Sequence, residues 1–268
     1  MAKVVLITGS SSGVGRITAE FFARRDWNVA ATARRPETIR TSDHISAFQL
    51  DVTDETSISV AVQRVVRRFG TIDVLVNNAA YGLLGPLEGV TTDQLEAQFR
   101  TNVIGAAAVI RHVLPIMRTK QEGTIINVSS LAGRMAEPFM SAYDATKFAL
   151  EGMSESLWYE LSLHGIRVKL VEPGQFKTGF LERSVQGRPH PAYDRAFENF
   201  MGWVRKEDAK APEPQPVAEA IFRAANDRSP RLRYPVGGTW IRALHALLPR
   251  RVWISLVRRA MTRPPQPQ

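Results

Sequence analysis

The chain of 268 residues contains no cysteine, which removes disulfides, thiolate zinc sites and cysteine nucleophiles together. That absence suits a reducing compartment, and a cytoplasmic location is expected. Histidine is scarce: His44, His112, His164, His190 and His245 stand far apart, without the close pairing that a helical metal motif needs, so no metal site is expected. No apolar run approaches the roughly 18 residues of a membrane span. An export signal is missing as well, because Lys3 is followed only by Val4-Val5-Leu6-Ile7, which ends at once in a glycine-rich turn. Neither an internal repeat nor a break in composition marks a second domain.

Acidic residues are in deficit. Lys and Arg number 35 against 26 Asp and Glu, a formal charge of +9, which favours anionic partners. Much of the excess lies in a basic amphipathic segment, 238–268, at Arg242, Arg250, Arg251, Arg258, Arg259 and Arg263. Its apolar positions include Trp240, Leu244, Leu248, Trp253 and Met261, and Pro249 divides it into two short helices. Such a segment can rest on an anionic membrane surface. Covering the substrate cleft or packing on another subunit is the favoured expectation. The closing Pro264–Gln268 stretch is expected to fray. Nucleic acid has only the net charge in its favour and no recognised motif, so it is not expected as a partner.

What the chain does contain is alternation. Val4–Ile7, Val29–Ala33, Phe48–Leu50, Ile72–Val76, Thr124–Val128 and Val168–Val171 read as strands, several apolar at consecutive positions, as strands covered on both faces are. Between them lie helical patterns. The clearest, Asp54–Phe69, puts Ile58, Val62, Val65, Val66 and Phe69 on one face and stops at Gly70. This order predicts a doubly wound parallel α/β sheet in three layers, α/β/α, as a single domain. From Thr178 to Pro216 the pattern fails: Gly187, Pro189, Pro191, Pro212 and Pro214 punctuate a segment that also holds Phe180, Tyr193, Phe197, Phe200 and Trp203. A long aromatic insertion of this kind reads as a substrate lid. Helix then returns at Val217–Ala225 and a strand at Leu232–Val236.

Two groups of residues carry chemistry. The first strand runs into Thr8-Gly9-Ser10-Ser11-Ser12-Gly13-Val14-Gly15 and then a helix, an arrangement that presents backbone N–H groups to a pyrophosphate. At the end of the second strand, where an acidic residue would bind a ribose 2′-hydroxyl, the chain has Arg34 and Arg35. Two guanidiniums suit a 2′-phosphate, so NADP(H) is expected ahead of NAD(H), with Ser11 able to add a hydrogen bond. The second group is Ser130 at the end of a strand, with Tyr143 and Lys147 four residues apart on a helix spanning Ser141–Leu163. An ordinary phenol has a pKa of about 10, and a nearby ammonium is expected to lower it. The serine hydroxyl can hold a substrate oxygen on which charge develops.

With these residues in place, the chain resembles the short-chain dehydrogenase/reductase family, of the compact type with one Rossmann domain. The resemblance rests on the glycine turn, Asn77-Asn78-Ala79-Ala80, Asn102 within Thr101-Asn102-Val103, the Ser130/Tyr143/Lys147 set, and Pro173-Gly174 through Thr178. It implies that Tyr143 is the general acid/base, that Lys147 tunes it and binds the nicotinamide ribose, and that Ser130 orients the substrate. It further implies that Asn102 kinks its helix and holds a water in a proton relay. Gly9, Ser11, Ser12, Gly13, Val14, Gly15, Asp51, Val52, Asn78, Ala79 and Ala80 would line the cofactor, with Pro173, Gly174 and Thr178 beside the nicotinamide. Ala80 departs from the family's usual glycine. Asn127 and Thr101 read as structural. Local matches, including Lys147-Phe148-Ala149-Leu150-Glu151-Gly152, resemble 17β-hydroxysteroid and retinol dehydrogenases and imply a hydrophobic alcohol or ketone substrate. The family also implies a homodimer or homotetramer. The competing reading is a non-catalytic NADP(H) sensor on the same scaffold.

Overall fold

Val4–Ile7 (β1) is apolar at every position because both of its faces are covered. Val5 and Ile7 point into one apolar layer with Phe22, Val29, Val76 and Ile221. Val4 and Leu6 point into another with Ile58, Val65, Val109 and Met117. A computed structural model describes residues 2–262; Arg263 and Pro264–Gln268 lie outside the described residues, as do the side chains of Trp240, Arg242 and Met261.

After β1 the chain forms α1 (Gly13–Ala23), β2 (Asn28–Ala33), β3 (Ile45–Gln49), α2 (Glu55–Phe69), β4 (Val74–Asn77), β5 (Leu83–Leu84) and α3 (Thr92–Phe99). It continues through α4 (Ala106–Lys120), β6 (Gly123–Val128), α5 (Ser141–Ser162), β7 (Ile166–Pro173), α6 (Phe180–Arg183) and β8 (Val185–Gln186). The remainder is α7 (Asp194–Lys210), α8 (Gln215–Asn226), β9 (Arg233–Val236), α9 (Thr239–Leu247) and α10 (Arg250–Thr262). Seven strands form one parallel sheet in the order β3-β2-β1-β4-β6-β7-β9. β1 pairs with β2 on one side and β4 on the other, so successive crossovers leave it in opposite directions and open a crevice at its carboxyl end. The expected doubly wound, three-layer, single-domain architecture is therefore the one present.

Local signals account for the boundaries. The Asp54 carboxylate caps α2 by accepting from the N–H groups of Thr56 and Ser57, and Gly70 stops the helix at φ 80°. Several strands start or end elsewhere than expected; β7, read as Val168–Val171, spans Ile166–Pro173. β3 starts at Ile45, not Phe48, because its apolar anchor lies at its beginning. β4 starts at Val74, since the Asp73 carboxylate turns to accept the Val4 N–H at 2.7 Å.

The segment 178–216 is more regular than its prolines suggest. It contains the 17-residue α7, whose Phe197, Phe200, Met201 and Val204 line one face. The short strands β5 and β8 pair in a separate two-stranded ladder and tie the start of this segment to the loop after β4. Pro249 separates α9 from α10, as expected, and α10 packs against α7. Among the described residues no helix is long and apolar enough to cross a membrane, and no cluster of His, Cys, Asp or Glu could hold a metal ion.

Candidate active site

The crevice at the end of β1 is built around Thr8. Its Oγ1 accepts the backbone N–H groups of Asn78 and Ala79, each at 3.0 Å. Asn78 Nδ2 returns two bonds, to the carbonyls of Thr8 (2.9 Å) and Gly9 (3.2 Å). Asn78 therefore staples the glycine turn to the end of β4 from beneath. A Cβ on Gly15 would lie 2.3 Å from the Gly9 carbonyl oxygen, so the turn closes only with glycine there. Gly9 and Gly13 adopt φ 69° and 53°.

Ser12 is the N-cap of α1, but its side chain makes no capping bond, and the first turn holds no acidic residue. The N-terminal amides and the positive end of the helix dipole thus face the crevice without a protein anion to meet them. A pyrophosphate fits this cradle. Val14 packs its side chain on the core and offers the crevice only main chain. Ser11 is half-buried beside it.

Farther along the sheet edge, Arg34 and Arg35 follow β2 and are exposed. Neither forms an ion pair with a carboxylate among the described residues. The Leu50 N–H bonds the Ala33 carbonyl at 2.9 Å, which brings Asp51 and Val52 to the same edge. Asp51 Oδ1 accepts the N–H and hydroxyl of Thr53 at 2.9 and 2.8 Å, so this carboxylate already shapes its own turn. Ala80 is exposed, and its methyl group is accommodated where the family usually has glycine.

Across the crevice, β6 delivers Ser130 and α5 delivers Tyr143 and Lys147 from successive turns of one face. Ser130 Oγ accepts the Ala132 N–H at 3.1 Å and lies within hydrogen-bonding reach of the Tyr143 hydroxyl. Lys147 Nζ donates to the Val128 carbonyl at 2.9 Å and lies 5.6 Å from the centre of the Tyr143 ring. The predicted electrostatics need correction here. Tyr143 is only 7% exposed, and burial raises its pKa; the Ser130 bond opposes this, while Asp144 and Glu137 add to it. Burial also lowers Lys147, to about 8, against the pull of Glu151. Low polarity favours the uncharged form of each, so the phenol keeps its proton through neutral pH.

Asn102 sits in a π-helical turn, Arg100–Gly105, between α3 and α4, which supplies the expected kink. Its amide is fully engaged: Nδ2 donates to the Tyr81 carbonyl (2.9 Å) and Thr146 Oγ1 (3.1 Å), and Oδ1 accepts the Tyr81 N–H (3.1 Å). The side chain therefore clamps the post-β4 loop to α5, and a relay water would have to meet the main chain. Asn127 is structural, as expected. It accepts from Asn77 Nδ2 at 2.9 Å and donates to Ser154 Oγ at 2.8 Å, linking β4, β6 and α5 under the site. Thr101 bonds back to the Ala97 carbonyl within its helix.

Pro173 and Gly174 end β7 beside β9, and the Gly174 N–H bonds the Val236 carbonyl at 2.8 Å. Thr178 reaches the glycine turn. A Cβ on Gly13 would meet its carbonyl oxygen at 2.9 Å. Over the catalytic group lies an apolar cluster of Leu84, Ala132, Met140, Tyr143, Phe200 and Met201, joined by Phe139, Phe180, Leu181, Phe197 and Val204. Phe180 packs on Tyr143 with ring centres 5.2 Å apart, and Phe139 touches Phe197 and Phe200 at 5.4 and 5.6 Å. The sequence signalled the aromatics but not which of them covers the tyrosine. It also missed the roles of Thr8 and Thr146, whose partners Asn78 and Asn102 are distant along the chain.

Asp144, beside the tyrosine, offers a test of this burial. Its Oδ2 accepts the Glu137 N–H at 2.8 Å. Burial raises its pKa from 3.8 to about 8, helped by the Glu137 charge and opposed by that N–H bond. Between those values the folded chain keeps a proton that the unfolded chain releases. The contribution to stability is then full below about pH 4 and is lost as pH rises through about 8. Asp144→Asn is expected to flatten this part of the melting-temperature profile across pH 5 to 8. An unchanged slope would show that the carboxyl titrates normally.

The family model described as short chain dehydrogenase matches residues 3–189. The chain is 36% identical over 241 residues to 3-ketodihydrosphingosine reductase of Bacteroides thetaiotaomicron, which covers 88% of each chain. It is 33% identical over 280 residues to 17-beta-hydroxysteroid dehydrogenase type 1 of Homo sapiens, covering 90% of this chain and 84% of that one. Among solved structures, ElxO with NADP bound matches with a TM-score of 0.72 at 29% identity, covering 88% of this chain and 98% of that one. A short chain dehydrogenase/reductase from Burkholderia phymatum in complex with NAD matches with a TM-score of 0.79 at 26% identity, covering 100% and 97%. Both dinucleotides thus occur on this fold, and the residues of the individual chain discriminate between them. The chain belongs to the short-chain dehydrogenase/reductase family.

Proposed function

We propose that this oxidoreductase is an NADP(H)-dependent reductase of a carbonyl group on a hydrophobic small molecule of steroid, retinoid or fatty-ketone type. The observation that carries the reading is the buried Tyr143 phenol, set beside Ser130 and Lys147 beneath an aromatic cover. The glycine turn and first turn of α1 would hold the pyrophosphate, Arg34 and Arg35 the 2′-phosphate, and Lys147 the nicotinamide ribose. When bound, the dinucleotide supplies the hydride.

The protein's own residues manage the proton. Ser130 donates a hydrogen bond to the substrate oxygen as negative charge grows there. Tyr143 gives that oxygen its proton, and burial, by making the phenolate costly, keeps the proton available until then. Lys147 stabilises the phenolate after transfer, and a water held against the main chain at the Asn102 kink would return a proton from solvent. Phe139, Phe180, Phe197 and Phe200 exclude water and offer an apolar surface to the rest of the substrate. The 3-ketodihydrosphingosine and 17-beta-hydroxysteroid in the names of two relatives agree with such a lining. A sensor would have no use for a buried, serine-bonded phenol.

Arg34 and Arg35 decide the cofactor. With both changed to Ala, the Kd for NADPH is expected to rise about a hundredfold while that for NADH changes less than about twofold, since only the former carries the phosphate. Calorimetric titration of both dinucleotides checks this; equal weakening would remove the phosphate role. A screen of steroid, retinoid, fatty and quinone carbonyls, with NADPH and NADH side by side, tests the reaction itself. A homodimer or homotetramer through the long α4 and α5 is also proposed, with the exposed Phe148 at its surface, and light scattering reads the mass.

A further inference from the structure

The short helix α6 begins over the catalytic tyrosine and ends over the glycine turn. At its first residue Phe180 packs on Tyr143; at its last, Arg183 reaches the start of α1. The Arg183 Nη2 lies 3.2 Å from the position that a Cβ on Gly13 would occupy, and it donates to the Thr178 carbonyl at 2.7 Å. We infer that Arg183 is a cofactor-binding residue, gripping the pyrophosphate of the dinucleotide from the lid side while α1 holds it from below. This rests on the dinucleotide reading above.

The electrostatics point to an anion between the two elements. A guanidinium beside a helix N-terminus places like charge against like, because that end of the helix is positive. Within the protein the first turn of α1 contributes no acidic residue to separate them. Arg183 is exposed as a residue, but protein around its guanidinium weakens its hold on the proton, and Glu182, next to it in sequence, is the one carboxylate that offsets this. Two converging positive groups become favourable neighbours when a diphosphate lies between them. Arginine has five N–H donors in a planar fork, of which the Thr178 carbonyl takes one, so others remain for phosphate oxygens.

The placement is firm. Ser184 Oγ donates to the Phe180 carbonyl at 2.8 Å, the Val185 N–H donates to the Gly82 carbonyl at 2.9 Å, and β8 pairs with β5. A Cβ at Gly82 would lie 2.6 Å from the Phe180 ring, so the helix is seated directly on the backbone there. Gripping the pyrophosphate would therefore also fix Phe180 against Tyr143, joining cofactor binding to closure over the catalytic group.

Calorimetric titration of NADPH and NADH into the wild type, Arg183→Ala and Arg183→Lys tests the inference. Arg183 is exposed, and melting temperatures serve as the control for folding. The Ala variant is expected to bind both dinucleotides about tenfold more weakly, with their affinity ratio unchanged and a shallower dependence on salt. Lys is expected to recover part of the loss as a point charge without the fork. Unchanged affinity in the Ala variant would overturn the assignment, and so would a loss confined to NADPH, which would move Arg183 to the 2′-phosphate. Wild-type protein that bound neither dinucleotide would instead overturn the reading on which this rests.

Discussion

Tyr143→Phe is expected to lower kcat by about three orders of magnitude, within the usual range for loss of a positioned acid, while leaving the Kd for NADPH within about twofold. The substitution deletes one oxygen and keeps the ring. Packing against Phe180 should therefore survive, and Ser130 still has the Ala132 N–H as a partner. What disappears is the proton that the substrate oxygen must receive. Single-turnover oxidation of NADPH with a saturating ketone separates this step from binding. Retained activity would remove Tyr143 from the mechanism. The wild-type pH profile should agree: with the phenol pushed upward by burial, reduction should stay flat through neutral pH and oxidation of the alcohol should improve only under alkaline conditions.

Gly15→Ala is expected to weaken dinucleotide binding at least about a hundredfold and to destabilise the fold by about 1–3 kcal/mol. The added methyl would sit 2.3 Å from the Gly9 carbonyl oxygen and 2.6 Å from Asn78 Nδ2. Neither neighbour can yield. Gly9 is main chain, and the Asn78 amide is committed to the carbonyls of Thr8 and Gly9. Relief would have to come from opening the turn, and the phosphate cradle would open with it. Gly152, on an exposed stretch of α5 with nothing within 4 Å of its would-be Cβ, is the control. There the same change should stabilise by about 0.5–1 kcal/mol, because alanine loses less backbone freedom in a helix. Denaturant melts of the two variants should move in opposite directions; a shared direction would refute the steric account.

The features legible in the sequence share a local cause. β1 announced itself by four consecutive apolar residues, α2 by its Asp54 cap and Gly70 stop, and the catalytic pair by one helical turn of spacing. Helix α7 was not read: Phe197, Phe200, Met201 and Val204 keep a helical interval, but the prolines around them gave the segment the look of an irregular insertion. What could not be read depends on residues far apart. Asn78 looked like a cofactor ligand and serves as a staple, because its partners, Thr8 and Gly9, lie in the glycine turn seventy residues away. The Tyr143 pKa was expected to fall, since sequence shows the nearby lysine; it rises, since only the fold shows how dry the site is. Arg183 gave no signal, as nothing in its neighbourhood of sequence reveals that α1 lies beside it.

The β5–β8 ladder has a consequence for how this protein could change over generations. It fastens the lid through peptide groups, and the side chains of Val185 and Gln186 face outward. Attachment and selectivity thus draw on different atoms. If the proposed substrate lies beneath α7, residues such as Phe197 can be exchanged while the peptide pairing between β5 and β8 stays in place. Such a division lets selection alter the diet of an enzyme while leaving its grip alone.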